Sequence, residues 1–265
     1  MKTIHPGLSI SNRNFTIVLS CEQASRVILS VPHDCFSVDD FPGLFGSRRN
    51  GATVADLFVW RIAIRILDRC LHAGINIDAV RSLMPRMYVD MNRSLTKESN
   101  LDPKAVDERA IGDVLLNPVF KEYHGSLGYL IRRSIQKFGV DHVLLLDLHG
   151  FGRQPDIAPS EGYDLILGTA NRRTVRHGSP DIDFSGYMFE LGYRIFLPRH
   201  QAVVPSGDPF DSGHITRLYA KTYGINAIQI EISSTFRRLD IRKDARERGQ
   251  KLAQDIAEFL SVHYK

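Results

Sequence analysis

Two apolar runs that each end in a histidine decide the fold: Val27-Ile-Leu-Ser-Val-Pro-His33 and Val143-Leu-Leu-Leu-Asp-Leu-His149. Each run is continuous, rich in β-forming residues and bounded by turn residues, which predicts a buried strand of an α/β sheet. Ligands of such sheets bind in the crevice beyond the carboxyl ends of the strands. A single strand-end histidine is more often a hydrogen-bonded packing residue. Two in matching positions favour a metal site, so His33 and His149 are candidate ligands.

Around these runs the chain alternates strands with helices. We predict strands at 14–20, 26–32, 76–81, 141–148, 164–169, 200–204 and 226–232, and helices at 53–73, 117–138, 184–194, 212–223 and 240–262. This alternation, without a repeat or a low-complexity linker, predicts one α/β domain over 1–265. We expect a three-layer α/β/α sandwich with a mixed, mostly parallel central sheet, of the phosphorylase/hydrolase-like kind. The stretches 34–52, 94–116 and 150–163 are candidate active-site loops.

Composition narrows the class of protein. The 265 residues are 43% hydrophobic, enough for a core without disulfides, and the net charge is only +4. Three cysteines without a CxxC pair fit a reducing cytoplasm. The basic residues between Arg237 and Arg248 alternate with acids at helical spacing, as on a salt-bridged exposed face. With no signal-peptide core and no membrane-length apolar run, we expect a cytoplasmic protein that binds neither nucleic acid nor membrane.

A polar segment, Pro85-Arg-Met-Tyr-Val-Asp-Met-Asn-Arg93, lies between the two histidines. The guanidinium of Arg93 suits a two-pronged grip on a carboxylate, and Asn92 adds a donor and an acceptor. The alternative is a surface ion pair between Arg93 and Asp90. Arg86 presents the same choice between substrate and structure.

A glutamate occurs inside the predicted strand Asn226-Ala-Ile-Gln-Ile-Glu-Ile232. Strand alternation puts the three isoleucines on one face and Gln229 with Glu231 on the other. A buried glutamate is costly unless it is paired or bound. Beside a metal site it is suited to be the general base, although an ion pair with an arginine is the structural alternative.

The third metal ligand is less clearly marked. Asp56 lies at the N-terminal end of the helix predicted at 53–73, where an aspartate is either a ligand or a helix cap. Cys35, Asp39 and Asp40 are the fallbacks. Asp147 is expected to point to the opposite face from His149 or to orient neighbouring groups. His124, early on a long helix, either lines the substrate pocket or is an ordinary polar helix residue.

In their order along the chain, these pieces resemble the N-formylglutamate amidohydrolase family. The resemblance covers nearly the whole sequence and rests on His33, Asp56, Arg86-Met-Tyr-Val-Asp-Met-Asn-Arg93, Asp147-Leu-His149, Gln229-Ile-Glu231 and the supporting segments Tyr123-His124, Asp164–Thr169 and Pro209–His214. The family is similar in architecture to zinc carboxypeptidases. This chain departs from both, because Asp34-Cys35 replace a small residue and glycine, and Phe36 stands where carboxypeptidases have a glutamate.

The resemblance implies a fold, a metal and an activity. It makes His33, His149 and Asp56 ligands of Zn²⁺, Asn92 and Arg93 binders of a substrate carboxylate, and Glu231 the catalytic base. The expected activity is hydrolysis of the amide bond of an N-acyl amino acid such as N-formylglutamate. A carboxypeptidase-like peptidase and a non-catalytic binding protein on the same fold are the alternatives.

Overall fold

The computed structural model describes residues 8–35, 47, 52–96, 106–152, 162–196, 211–238 and 243–265. The strands are β1 (Leu8–Asn12), β2 (Thr16–Cys21), β3 (Val27–Val31), β4 (Ile77–Ser82), β5 (Leu144–Phe151), β6 (Leu165–Gly168), β7 (Ile195–Phe196) and β8 (Asn226–Ser233). The helices are α1 (Val59–His72), α2 (Leu116–Phe138), α3 (Pro180–Glu190), α4 (His214–Tyr223) and α5 (Ala245–His263).

The described strands form one mixed sheet in the order β1-β2-β4-β3-β5-β8-β6-β7. The four central strands, β4, β3, β5 and β8, are mutually parallel, so their carboxyl ends meet at one edge. Antiparallel neighbours flank them, with β2 beside β4 and β6 beside β8. The predicted mixed α/β sheet is therefore confirmed.

Helices cover both faces of the sheet. Side chains of α1, α3 and α5 share one apolar cluster with alternate strand residues such as Leu29, Leu146 and Ile230. Side chains of α2 and α4 share a second cluster with strand residues of the opposite face, including Ile28 and Leu145. Along β3, β5 and β8, the polar residues that alternate with residues of the first cluster have their side chains on this second face, toward α2 and α4.

Several element bounds differ from those that the sequence predicts. The strand at 8–12 was not predicted, and the strand expected at 200–204 lies outside the described residues. The helix expected to begin at residue 53 begins at Val59, so Asp56 lies in the preceding segment. The run predicted as a strand from residue 141 starts with a short 3₁₀ helix, and β5 extends to Phe151. Within the described ranges, no helix combines the length and hydropathy needed to cross a bilayer.

Candidate metal centre

The carboxyl ends of three parallel strands bring the predicted site residues together. His33 follows β3 by two residues, while His149 and Glu231 are direct neighbours in the register of β5 and β8. All three side chains are buried. The strand-end argument from the sequence therefore predicts their proximity correctly.

Asp56 meets both histidines. Its Oδ2 lies 3.3 Å from Nδ1 of His33 and 3.3 Å from Nδ1 of His149. One ligand atom from each of the three buried residues lies within 4.8 Å of the others. The segment that carries Asp56 is itself tied to the site, since its backbone N–H donates to the carbonyl of His33 at 2.9 Å.

Whether the carboxylate of Asp56 caps α1 is answered by its neighbour Asp34. The carboxylate of Asp34 accepts hydrogen bonds from the backbone N–H groups of Phe58 (3.0 Å) and Trp60 (2.6 Å) at the start of α1. Asp34 thus caps the helix from outside it. Asp56 is left to face the histidines.

Each histidine is held from behind by a second buried aspartate. Nε2 of His33 donates to Asp90 Oδ1 at 2.6 Å, and Nε2 of His149 donates to Asp147 Oδ2 at 2.9 Å. Both rings therefore turn Nδ1 toward Asp56. A carboxylate behind a histidine is the usual arrangement around protein-bound zinc, because it fixes the ring and its tautomer.

The charges of the centre fit a cation. Burial raises the pKa of Asp56, but the neighbouring His149 and His33 outweigh burial and hold it well below its ordinary value. Burial lowers the pKa of His149, whereas Asp147 and Asp56 raise it far more. His33 Nδ1 is buried and has no hydrogen-bond partner. Two imidazole nitrogens and one carboxylate oxygen are a zinc donor set, and a metal ion would satisfy the unpaired nitrogen.

Glu231 has the properties of a base. Burial raises its pKa to about 7, against the lowering effect of His149. Its Oε1 accepts a hydrogen bond of 2.9 Å from Nε2 of Gln229, two residues earlier on the same strand face. A carboxyl that titrates near neutral pH can both accept and return a proton there.

The two arginines of the 85–93 segment differ in their contacts. Arg86 Nε donates to Asp90 Oδ2 at 2.9 Å, and its Nη1 lies 3.8 Å from Asp56 Oδ1. Arg93 donates to the carbonyl of Asn92 at 2.8 Å and lies 3.8 Å from Asp90 Oδ2. Asp90 therefore has its closest ion pair with Arg86, and the ion pair with Arg93, which was the structural alternative, is present at a longer distance on a fully buried Asp90.

Asn92 is fixed at the centre of this segment. Its Oδ1 accepts the backbone N–H of Ile215 at 2.9 Å, and its Nδ2 lies 3.3 Å from Nε2 of His149. Gly213 packs against the amide so closely that a Cβ there would overlap it. The close approach of Gly213 thus lets the first turn of α4 donate a backbone hydrogen bond to Asn92.

His124 lies behind the same segment. Its Nε2 donates to the carbonyl of Met91 at 3.0 Å, and its Nδ1 lies 3.1 Å from the hydroxyl of Tyr219. Burial, with the nearby His214, lowers its pKa to about 3, so the ring is neutral. Both nitrogens of the predicted substrate residue face protein atoms in this structure.

Sequence reasoning left Asp147 open and missed Asp107, two residues that hold the site in place. A spacing of two puts Asp147 on the strand face of His149, so the opposite-face alternative is wrong, and its hydrogen bond to His149 agrees with the alternative that it orients a neighbouring group. Asp107 is fully buried and accepts the N–H of Asp90 at 2.6 Å. Its loop contains no motif that could have predicted this contact. Asp39 and Asp40 lie outside the described residues.

The mixed sheet with this group of buried polar residues at its edge defines a class, the hydrolases of α/β fold, and comparison with known proteins narrows it. The family model of N-formylglutamate amidohydrolase matches residues 25–236. The chain belongs to this family, which confirms the resemblance and makes the protein a hydrolase of amide bonds. No curated protein matches the chain.

Solved structures agree on the fold. N-formylglutamate amidohydrolase from Ralstonia eutropha JMP134 is 18% identical, with a TM-score of 0.61 over 98% of this chain and 99% of that one. The gene product Atu2144 from Agrobacterium tumefaciens is 15% identical, with a TM-score of 0.62 over 94% of each chain. These likenesses support the α/β hydrolase fold.

Proposed function

We propose that this protein is a zinc-dependent amidohydrolase that cleaves the amide bond of an N-acyl amino acid such as N-formylglutamate. The observation that carries the proposal is the convergence of two histidine Nδ1 atoms on Asp56, each ring being held by its own buried aspartate. His33, His149 and Asp56 would hold the metal. A bound Zn²⁺ would supply polarisation of the scissile carbonyl and activation of water near neutral pH.

The chain's own groups supply the remaining chemistry. Glu231 accepts the proton of the attacking water and then returns it to the leaving amine, a role that its pKa of about 7 suits. Gln229 keeps the glutamate carboxylate oriented through its hydrogen bond. Asn92 and Arg93 hold the substrate carboxylate, and Arg86, beside Asp56, adds positive charge where the amide oxygen becomes negative.

Two substitutions test this assignment. His149→Ala should lose most of the bound zinc and the hydrolysis of N-formyl-L-glutamate. Glu231→Gln should keep its zinc while kcat falls by at least about 100-fold. In the wild type, kcat/KM should fall as the pH drops below about 7, because Glu231 becomes protonated. Elemental analysis and steady-state kinetics measure these outcomes.

The matched control is His72→Ala, which removes an exposed histidine on α1 and should change neither quantity. Full zinc content in His149→Ala would contradict the metal assignment. Loss of zinc in Glu231→Gln would make Glu231 a ligand instead of a base. Turnover of short peptides in preference to N-formyl amino acids would identify the peptidase alternative.

A further inference from the structure

Arg237, which the sequence pattern places on an exposed salt-bridged face, is only 6% exposed in the structure. Its guanidinium donates to three backbone carbonyls, those of Ile232 (3.1 Å), Leu57 (2.9 Å) and Phe151 (2.9 Å). These bonds use three of the five N–H donors of an arginine. One buried side chain thus joins three segments at the same edge of the sheet.

The three segments are the ones that carry the candidate site. The carbonyls bonded to Arg237 belong to the residue after Asp56, the residue after Glu231 and the second residue after His149. A single planar guanidinium therefore fixes the spacing between two candidate metal ligands and the candidate base. Burial lowers the pKa of Arg237, while the charges of Asp56 and Glu231 act in the opposite direction, so these carboxylates also balance the buried cation through space.

The backbone of Arg237 is itself held in place. It follows the short 3₁₀ helix Ser234–Phe236, and its N–H donates to the carbonyl of Ser234 at 3.2 Å. Helix α5 packs closely on this turn at Gly249, where a Cβ would overlap the carbonyl of Phe236. The arginine is therefore anchored to the helix layer on one face of the sheet.

Gly150 leaves the space that the guanidinium occupies. It lies on β5 directly after His149, and a Cβ at this position would overlap the guanidinium of Arg237. Two residues later the situation is different. Apart from its chain neighbours, no described residue places an atom within 4 Å of a Cβ added at Gly152. The two glycines therefore offer a matched pair of substitutions.

We propose that Arg237 is a positioning residue, whose guanidinium holds the segments of Asp56, His149 and Glu231 at the spacing that zinc binding and catalysis require. The inference rests on the proposed function, because that proposal assigns the metal ligands and the base. Lysine would not serve in its place, since an ammonium on a flexible stem lacks the planar fork that reaches three carbonyls. The geometry of the side chain, and not its charge alone, is the property that matters.

Zinc affinity, measured by competition with a chromophoric chelator, tests the proposal without requiring turnover. Arg237→Ala should bind zinc about 10- to 100-fold more weakly than the wild type, and Arg237→Lys should also be weak. Guanidinium chloride at millimolar concentration should restore part of the affinity of Arg237→Ala, whereas sodium chloride should not. The matched control is Arg133→Met, which removes an arginine paired with Asp78 near the start of β4, at the opposite edge of the sheet. Its zinc affinity should equal that of the wild type.

Gly150→Ala provides a second test, since it keeps Arg237 but displaces its guanidinium. Zinc affinity should fall in this variant and stay unchanged in Gly152→Ala. In the Arg237→Ala background, Gly150→Ala should cause little further loss, because no guanidinium remains to be displaced. With saturating zinc, kcat for N-formyl-L-glutamate should fall in Gly150→Ala and Arg237→Ala while KM changes little, since Asn92 and Arg93 lie on another segment.

The outcomes separate this inference from the proposed function. Wild-type zinc affinity in Arg237→Ala or Arg237→Lys, or equal losses in Arg237→Ala and Arg133→Met, would overturn the inference alone. Additive losses in the double variant would do the same. If Arg237→Ala does not fold, equal zinc affinity of Gly150→Ala and Gly152→Ala would overturn it. A wild-type protein that binds no zinc would contradict the proposed function, and the inference with it.

Discussion

The two histidines of the candidate metal centre are held by buried aspartates whose surroundings differ in charge. Asp90, behind His33, has Arg86 at 2.9 Å and Arg93 at 3.8 Å. Asp147, behind His149, accepts a hydrogen bond of 2.6 Å from the hydroxyl of Ser30. Because that hydroxyl has a single proton, Tyr123, 2.7 Å away, must donate to Ser30. One aspartate is thus paired with cations, and the other accepts a hydrogen bond from a neutral hydroxyl group.

The difference separates two tasks. The charge of Asp90 is shared with arginines. Despite burial, the pKa of Asp90 is held well below its ordinary value, mainly by Arg86 and then by His33. Burial lowers the pKa of His149, but the carboxylates around it, of which Asp147 contributes most, together raise it well above its ordinary value. A more basic imidazole is a stronger metal ligand. We infer that the Asp90 side serves mainly to hold the fold and its arginines, and that the Asp147 side serves mainly to tune metal affinity.

The largest expected effect is on stability at Asp90. Asp90→Asn leaves Arg86 buried without its close anionic partner, which should lower the free energy of unfolding by about 3–5 kcal/mol. Asp147→Asn removes no arginine partner and should cost about 1–3 kcal/mol. Urea unfolding of both variants, with the metal chelated, measures the difference. Equal losses would show that the two aspartates do not divide the tasks in this way.

The difference between local patterns and contacts of distant segments explains which parts of the site the sequence could predict. Strand alternation predicts that Gln229 and Glu231 share one face, and strand ends predict that His33 and His149 lie beside them. These features are local, so the sheet and the centre of the site follow from periodicity. The family resemblance supplied the roles.

The contacts that hold the site depend on segments far apart in sequence. Asp34 caps a helix that begins 25 residues later. The helix α1 therefore begins at Val59 and not at residue 53, as the sequence predicted. Asp107 fixes Asp90 across a loop, and Ile215 fixes Asn92 from α4. Neither spacing nor residue type marks such pairs, because they form only when the tertiary structure brings the segments together.

The next largest effect is expected on kcat/KM at Arg93, the second cation beside Asp90. If Arg93 serves a substrate carboxylate, Arg93→Ala should lower kcat/KM by about 10- to 150-fold, the value of one charge-assisted hydrogen bond. The loss should appear with an N-formyl amino acid and largely vanish with its α-amide. Comparing the two substrates in both proteins measures this. Equal losses would make Arg93 a structural partner of Asp90 and Asn92. Arg93 would then belong, with Arg86, to the groups around Asp90 that hold the fold.

The smallest expected effect is on zinc affinity, and it tests the role of Asp147 directly. In Asp147→Asn the amide oxygen can still accept the Nε2 proton of His149, so the ring keeps its orientation while the negative charge that makes it basic is lost. Zinc affinity should therefore fall by about 10- to 100-fold, as measured by competition with a chromophoric chelator. Ser30→Ala is the matched control, because it removes a hydrogen bond to Asp147 but keeps the charge, and its zinc affinity should stay closer to that of the wild type. If the two variants lose affinity equally, the orientation of Asp147 matters more than its charge. The hydroxyl groups of Ser30 and Tyr123 would then be the feature that sets zinc affinity.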